Sequence, residues 1–158
     1  MARMPMTRGG YEALRERLKV LKTTERRAVA EELEIARAHG DLRENADYEA
    51  AKDKQGMLEA TIRDLEDKLA RAEVIDVSRL SGDTVKFGAT VTLYDPAADS
   101  EQTLTIVGEV EADAKAGLIS VTSPMARALI NRRVDDTVRF ETPGGRKEYE
   151  ITDVRFGD

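Results

Sequence analysis

In the stretch AHGDLRENADYEAAK, residues 38–52, two carboxylates, Asp41 and Glu44, stand three apart just after a glycine suited to ending a helix. In a turn that leads into a helix, such a pair can face one way and share a hard cation such as Mg²⁺. That ion takes oxygen ligands in near-octahedral geometry and keeps several waters. Two exposed carboxylates fill a minority of its shell, so the isolated protein is expected to hold no metal tightly. The pair suits a site that other groups complete, such as carboxylates of a partner and phosphates of a nucleic acid. This would be half of a two-metal phosphodiester-cleaving centre, brought to an incomplete one. A folding role fits the same spacing. Asp41-Leu42-Arg43-Glu44 matches a capping box, with Asp41 as N-cap, Glu44 at the third helical position, and both charges at the positive end of the helix dipole. Asparagine caps about as well as aspartate but carries no charge, so Asp41→Asn separates the two roles.

Arg37, Arg43 and Lys52 flank the pair and could hold phosphates beside a metal; as isolated cations they would be ordinary solvated charges. His39, the sole histidine, reads as a helix-end residue near free carbonyls. Asn45 either orients a ligand or closes the turn. Tyr48 reads as packing, because it opens a regular apolar series.

That series, Tyr48, Ala51, Gln55, Leu58, Ile62, Leu65, Leu69 and Ala72, steps by three and four like the seam of a coiled coil. The preceding arm repeats it through Tyr11, Leu14, Leu18 and Leu21, takes a polar step at Glu25, and resumes at Val29, Leu33 and Ala36 with one drift in phase. Thr7 is the expected N-cap of this arm, and Gly40 suits the left-handed residue that closes it. The two arms should fold back as an antiparallel hairpin, each about 45 Å long at 1.5 Å per residue, with the acidic stretch at the tip, 38–48. After Asp76 the helical period gives way to alternation, so we expect a hairpin over 1–75, a linker over 76–84 and a second domain over 85–158. In that domain GATVTLYD places Ala89, Val91 and Leu93 on one face, TLTIVGEV and GLISVTS read as strands, and PMARALINRR reads as a short helix opened by Pro124. The last strands form a hairpin turning at Pro143-Gly144-Gly145. The expected fold is therefore two-domain, α and α+β, with a small antiparallel sheet and one short helix.

Composition limits the function. Charged residues make up 35% and aromatics 4%, which suits long exposed helices and a modest core. Without cysteine, disulfides and thiolate metal sites are excluded. The net charge of -6 argues against general affinity for duplex nucleic acid. Residues 1–75 carry 15 Lys and Arg against 16 Asp and Glu, and 76–158 carry 10 against 15, so any nucleic-acid contact is expected on the first half. No apolar run approaches the roughly 20 residues that span a bilayer, and the opening lacks the apolar core of a signal peptide, so a cytoplasmic protein without membrane contact is expected. A seam satisfied within one hairpin predicts a monomer.

The segments MTRGGYEAL, HGDLRENADYEAAK, LARAEVIDV, FGATVTLYD, IVGEVEAD, ISVTSPMARALI and TPGG run in order along nearly the whole chain. Together they resemble the bacterial Gre transcript-cleavage factor family, nearest its GreA type. The resemblance implies a coiled-coil hairpin followed by an FKBP-like domain that binds the rim of the RNA polymerase secondary channel. The rim surface would include Asp113 and Ser123, Pro124, Met125, Ala126 and Arg127. It further implies that the hairpin passes down the channel, where Asp41 and Glu44 help the polymerase's own active site hold a second Mg²⁺ and a water. A backtracked RNA 3′ end, engaged by Arg37 and Lys52 with Arg43 beside them, is then cut by the polymerase. On this reading the protein is an accessory factor and not an enzyme. The alternative is a regulator that occupies the channel and tunes transcription without cleavage; retention of both acidic residues favours the cleavage factor. Two features depart from the GreA type. Asn131-Arg132 stands where Gly-Lys is common, and SPMARAL with ENADY leans towards GreB.

Overall fold

The computed structural model describes residues 2–40 and 45–157. It divides into two compact units, one holding Tyr11–Ala72 and the other Ala2–Gly10 with Glu73–Asp158. The second unit thus takes segments that the sequence boundaries group with the hairpin. Met4–Thr7 (β1) packs against the turn Glu109–Glu111 and the strand Ser100–Val107 and pairs with Ala72–Ile75 (β2) in a short sheet, and Met6 is fully buried.

The first arm of the hairpin comprises α1 (Arg8–Val20), a π turn at Leu21–Glu25 and α2 (Arg26–Arg37); the second is α3 (Ala46–Ala70). Thr7 caps α1 as expected, its hydroxyl oxygen accepting from the Gly10 amide at 3.1 Å. The buried seam joins Leu21, Val29 and Leu33 to Ala51, Leu58, Ile62 and Leu65, with Leu14, Leu18 and Tyr48 beside it. The phase drift now has a cause. A strict heptad running through Leu21 and Glu25 would place the next apolar residues at 28, 32 and 35, one residue before Val29, Leu33 and Ala36. The π turn absorbs that extra residue, so the stripe returns to the seam and Ile35 points outward, 63% exposed.

Ion pairs between the arms hold their register. Arg26 grips Glu59 through two bonds of 2.9 Å, while Lys54 meets Glu32 at 3.0 Å and Lys22 meets Glu66 at 3.5 Å. The hydrogen bond from Arg26 holds the Glu59 carboxyl below its ordinary range, and Glu59 raises the guanidinium in return. A carboxyl with a lowered folded-state pKa stabilises above its unfolded pKa, and that contribution is lost as pH falls through the folded value. Glu59→Gln should therefore melt below wild type at neutral pH, with the gap closing on acidification; a gap independent of pH would exclude the charge as its cause. The effect should be small, because both groups face solvent.

The second unit is built on a five-stranded sheet. Its strands are β3 (Ala89–Asp95), β4 (Ser100–Val107), β5 (Leu118–Ser120), β6 (Thr137–Thr142) and β7 (Gly145–Phe156), in the order β5-β4-β3-β7-β6. Ala89, Val91 and Leu93 are fully buried on the expected face, together with Ile106, Val138 and Ile151. Helix α4 (Pro124–Leu129) adds Ala126 and Leu129 to this core. The sheet is mixed, not antiparallel. After β4 two 3-10 turns, Glu109–Glu111 and Ala114–Ala116, carry the chain back, so β5 runs parallel to β4.

Candidate functional site at the hairpin tip

Two residues close the tip, one on each side of the acidic stretch. The first arm ends at Gly40, whose φ of +101° is open to glycine at little cost, and whose amide donates to the Arg37 carbonyl at 3.1 Å. The second arm starts at Asn45, which is 9% exposed and does two things. Its side-chain oxygen accepts from the Tyr48 amide at 3.0 Å, capping α3, and its side-chain nitrogen donates to the Ala36 carbonyl at 2.5 Å, tying the start of one helix to the end of the other. Asn45 therefore closes the turn. The N-cap of α3 is this residue, four positions beyond Asp41, so the capping-box reading of Asp41 is corrected. Sequence spacing misled here because Asp-x-x-Glu imitates a capping box, while Asn45 is followed three residues later by a tyrosine.

Asp41, Arg43 and Glu44 lie outside the described residues. Among the described residues no three His, Asp or Glu side chains gather into a metal-holding group. The donor chemistry of Asp41 and Glu44 nevertheless suits Mg²⁺, as two hard oxygen ligands that leave most of the shell to other groups.

Of the candidate RNA-binding residues, Arg37 and Lys52 are exposed. The Arg37 guanidinium carbon lies 5.9 Å from the centroid of the Tyr48 ring, a cation–π distance. Lys52 is one helical turn beyond Tyr48, so Arg37, Tyr48 and Lys52 share a flank. Tyr48 is thus both seam packing, as expected, and the platform under Arg37. His39 lies 3.7 Å from the Asp47 carboxylate and borders a groove of about 320 Å³ that also includes Glu32, Ala50 and Lys54. Within it Lys54 pairs with Glu32, and His39 faces Asp47.

In the second unit the candidate docking residues lie at either end of β5. Asp113 is exposed and caps the turn at Ala114–Ala116, its carboxylate accepting from the Lys115 amide at 3.2 Å. Ser123 caps α4, accepting from the Ala126 amide at 3.2 Å, with Pro124 in the first turn. Pro124 and Arg127 are exposed, Met125 is half-buried and packs on the core, and Ala126 is fully buried. Within this motif Ala126 supports the surface from beneath, and a partner would meet its neighbours.

The family model for the N-terminal part of transcription elongation factors matches residues 4–74, and that for the GreA/GreB C-terminal part matches 80–156. The chain is 58% identical over 156 residues to the transcription elongation factor GreA of Phenylobacterium zucineum (strain HLK1), covering 99% of each chain. The chain belongs to the GreA/GreB transcription elongation factor family. GreA of Maricaulis maris (strain MCS10) is 55% identical over 157 residues, covering 99% of this chain and 100% of that one. Among solved structures, GreA factor homolog 1 of Thermus thermophilus is 29% identical, with 97% and 99% of the two chains covered and a TM-score of 0.44. The GreA/GreB assignment agrees with the expected architecture of a helical hairpin followed by a sheet domain with one short helix. Among the described residues no helix is long and apolar enough to cross a membrane.

Proposed function

We propose that the protein, a cytoplasmic monomer when free, docks on the rim of the bacterial RNA polymerase secondary channel. There it stimulates the polymerase's own Mg²⁺-dependent cleavage of backtracked RNA. Membership of the GreA/GreB family supports this reading, and one structural observation carries it to the acidic pair. The tip is closed by Gly40 and Asn45, so the start of α3 does not depend on Asp41 as its cap. On this reading the carboxylates of Asp41 and Glu44 act as ligands to an ion completed by the polymerase. An Mg²⁺ ion in such a site supplies charge stabilisation and a more acidic, oriented water. The protein's residues provide the rest. Arg37, Arg43 and Lys52 hold phosphates of the RNA 3′ end, and the Tyr48 ring fixes the Arg37 guanidinium. Asp113, Ser123, Pro124, Met125 and Arg127 form the docking surface, with Ala126 beneath it. The isolated protein holds no metal tightly and is not an enzyme.

Cleavage in stalled, backtracked polymerase complexes with Mg²⁺ tests this, with binding measured in parallel. Wild type should accelerate cleavage. Pro124→Ala combined with Arg127→Ala should raise the concentration needed for half-maximal stimulation at least about tenfold, as expected for loss of anchors near the centre of an interface. Binding without acceleration would overturn the proposal in favour of a channel-occupying regulator.

A further inference from the structure

Two residues before the docking candidate Asp113, the turn Glu109–Glu111 ends in a glutamate that has no role in the surface described above. The Glu111 carboxylate is partly buried and collects three donors. One of its oxygens accepts from the Thr7 amide at 3.0 Å and from the Gly108 amide at 2.8 Å, and the Thr7 hydroxyl donates to the other. The fit is close. A Cβ on Gly10 would fall 2.0 Å from a Glu111 carboxylate oxygen, and one on Gly108 would fall 2.2 Å from the Pro5 carbonyl oxygen. All of these residues belong to the same compact unit as Asp113. Asp113 itself is pinned on its other side: its amide donates to the Leu118 carbonyl at 2.8 Å, and the Leu118 amide donates to its carbonyl at 2.9 Å. Ala112, the one residue between Glu111 and Asp113, is exposed.

We infer that Glu111 is a positioning residue for docking: by tying the turn Glu109–Glu111 to β1 it fixes the approach to Asp113, and so the place where the exposed Asp113 carboxylate meets the polymerase. The inference deepens the docking surface proposed above and rests on it. A 3-10 turn of three residues holds itself together poorly, because its own hydrogen bonds are few and badly aligned. Three donors converging on one carboxylate supply the anchor that the turn lacks. Without Glu111 the Thr7 and Gly108 amides lose their acceptor, and Asp113 is held from the Leu118 side alone. Binding would then have to order the loop, which costs affinity. No residue of the hairpin unit is altered by that loss, so the work done by a docked molecule should not change.

The test measures the affinity of the labelled protein for backtracked polymerase complexes, together with the cleavage rate at saturation. Asp113→Ala should weaken binding about tenfold, as expected for an interface anchor removed outright. Glu111→Ala should weaken it about fivefold, a share of that loss, with the saturated rate unchanged. Glu111→Gln should recover most of the affinity: its amide oxygen can take the two backbone donors, and its NH₂ group can donate to the Thr7 hydroxyl, which also accepts. Gly9→Ala and Gly10→Ala form a matched pair, since both raise helix propensity and only the second collides with Glu111, a Cβ on Gly9 meeting nothing within 4 Å. Gly10→Ala should therefore bind like Glu111→Ala and Gly9→Ala like wild type, so the test does not hang on one variant. In the free protein, Glu111→Ala should speed amide hydrogen exchange at residues 111–115 while the amides of β3 keep their protection. Equal affinities for folded Glu111→Ala and wild type would overturn the inference. So would a loss confined to the saturated rate, or lost protection throughout the sheet, which would make Glu111 a general stabiliser. Unchanged affinity in Asp113→Ala would instead overturn the docking surface on which the inference rests.

Discussion

Asp41→Asn combined with Glu44→Gln should lower stimulated cleavage by about 100-fold or more, because a metal contributes several kcal/mol of charge stabilisation and each ~1.4 kcal/mol is a factor of ten. Helix content and polymerase binding should stay at wild-type levels. The structure makes this double change informative. If Asp41 capped α3, loss of activity and loss of helix would be hard to tell apart, but Asn45 occupies the cap. A folded, bound variant that still stimulated at the wild-type rate would remove the carboxylates from the mechanism. The single substitutions should each give most of the effect, since one remaining carboxylate anchors an exposed ion poorly.

Asn45→Ala should destabilise the hairpin by about 2 kcal/mol. About 1 kcal/mol is the loss of the helix cap, and about 1 kcal/mol is the net loss of the hydrogen bond between the arms, the Ala36 carbonyl keeping the His39 amide as a donor. Asn45→Asp distinguishes the two contributions. Aspartate caps as well as asparagine but cannot donate to a carbonyl, so it should retain the capping part and lose the other. Chemical denaturation followed by circular dichroism reads both. Equal stability of the alanine variant and wild type would mean that the bond between the arms has no energetic weight. Since Gly40 and Asn45 bracket the acidic stretch, the alanine variant should also stimulate cleavage less well at saturation, even at temperatures where it remains folded.

The arms of the hairpin were legible because a seam repeats every three and four residues, and even the drift after Glu25 was visible as a phase error. Its structural cause, the π turn at Leu21–Glu25, was not, since a phase error names no hydrogen-bond pattern. The strand Ala89–Asp95 announced itself by alternation. The four residues Met4–Thr7 are too few to alternate convincingly, so β1 was read as part of the hairpin. Strand β5 was found, but its direction depends on two 3-10 turns that the periodicity does not register. At the tip the acidic residues drew attention by their spacing, whereas Asn45 looked like any turn residue until its two partners, Ala36 and Tyr48, were placed. Glu111 was beyond reach of any local pattern, because its partner Thr7 is 104 residues away in sequence. Ala126 sits within a segment recognisable by resemblance, yet its burial followed only once the face of α4 against the sheet was known.

The most direct measurement is the Mg²⁺ dependence of RNA cleavage in a backtracked polymerase complex, with no factor, with wild type and with Asp41→Asn, each factor at saturation. If the tip carboxylates complete a site for the ion, wild type should shift half-maximal cleavage to lower Mg²⁺ by about tenfold or more, in the range by which well-placed groups around a metal change its affinity. Asp41→Asn should return the curve towards that of the polymerase without factor. Superimposable Mg²⁺ curves for wild type and Asp41→Asn, with both proteins bound, would contradict the account.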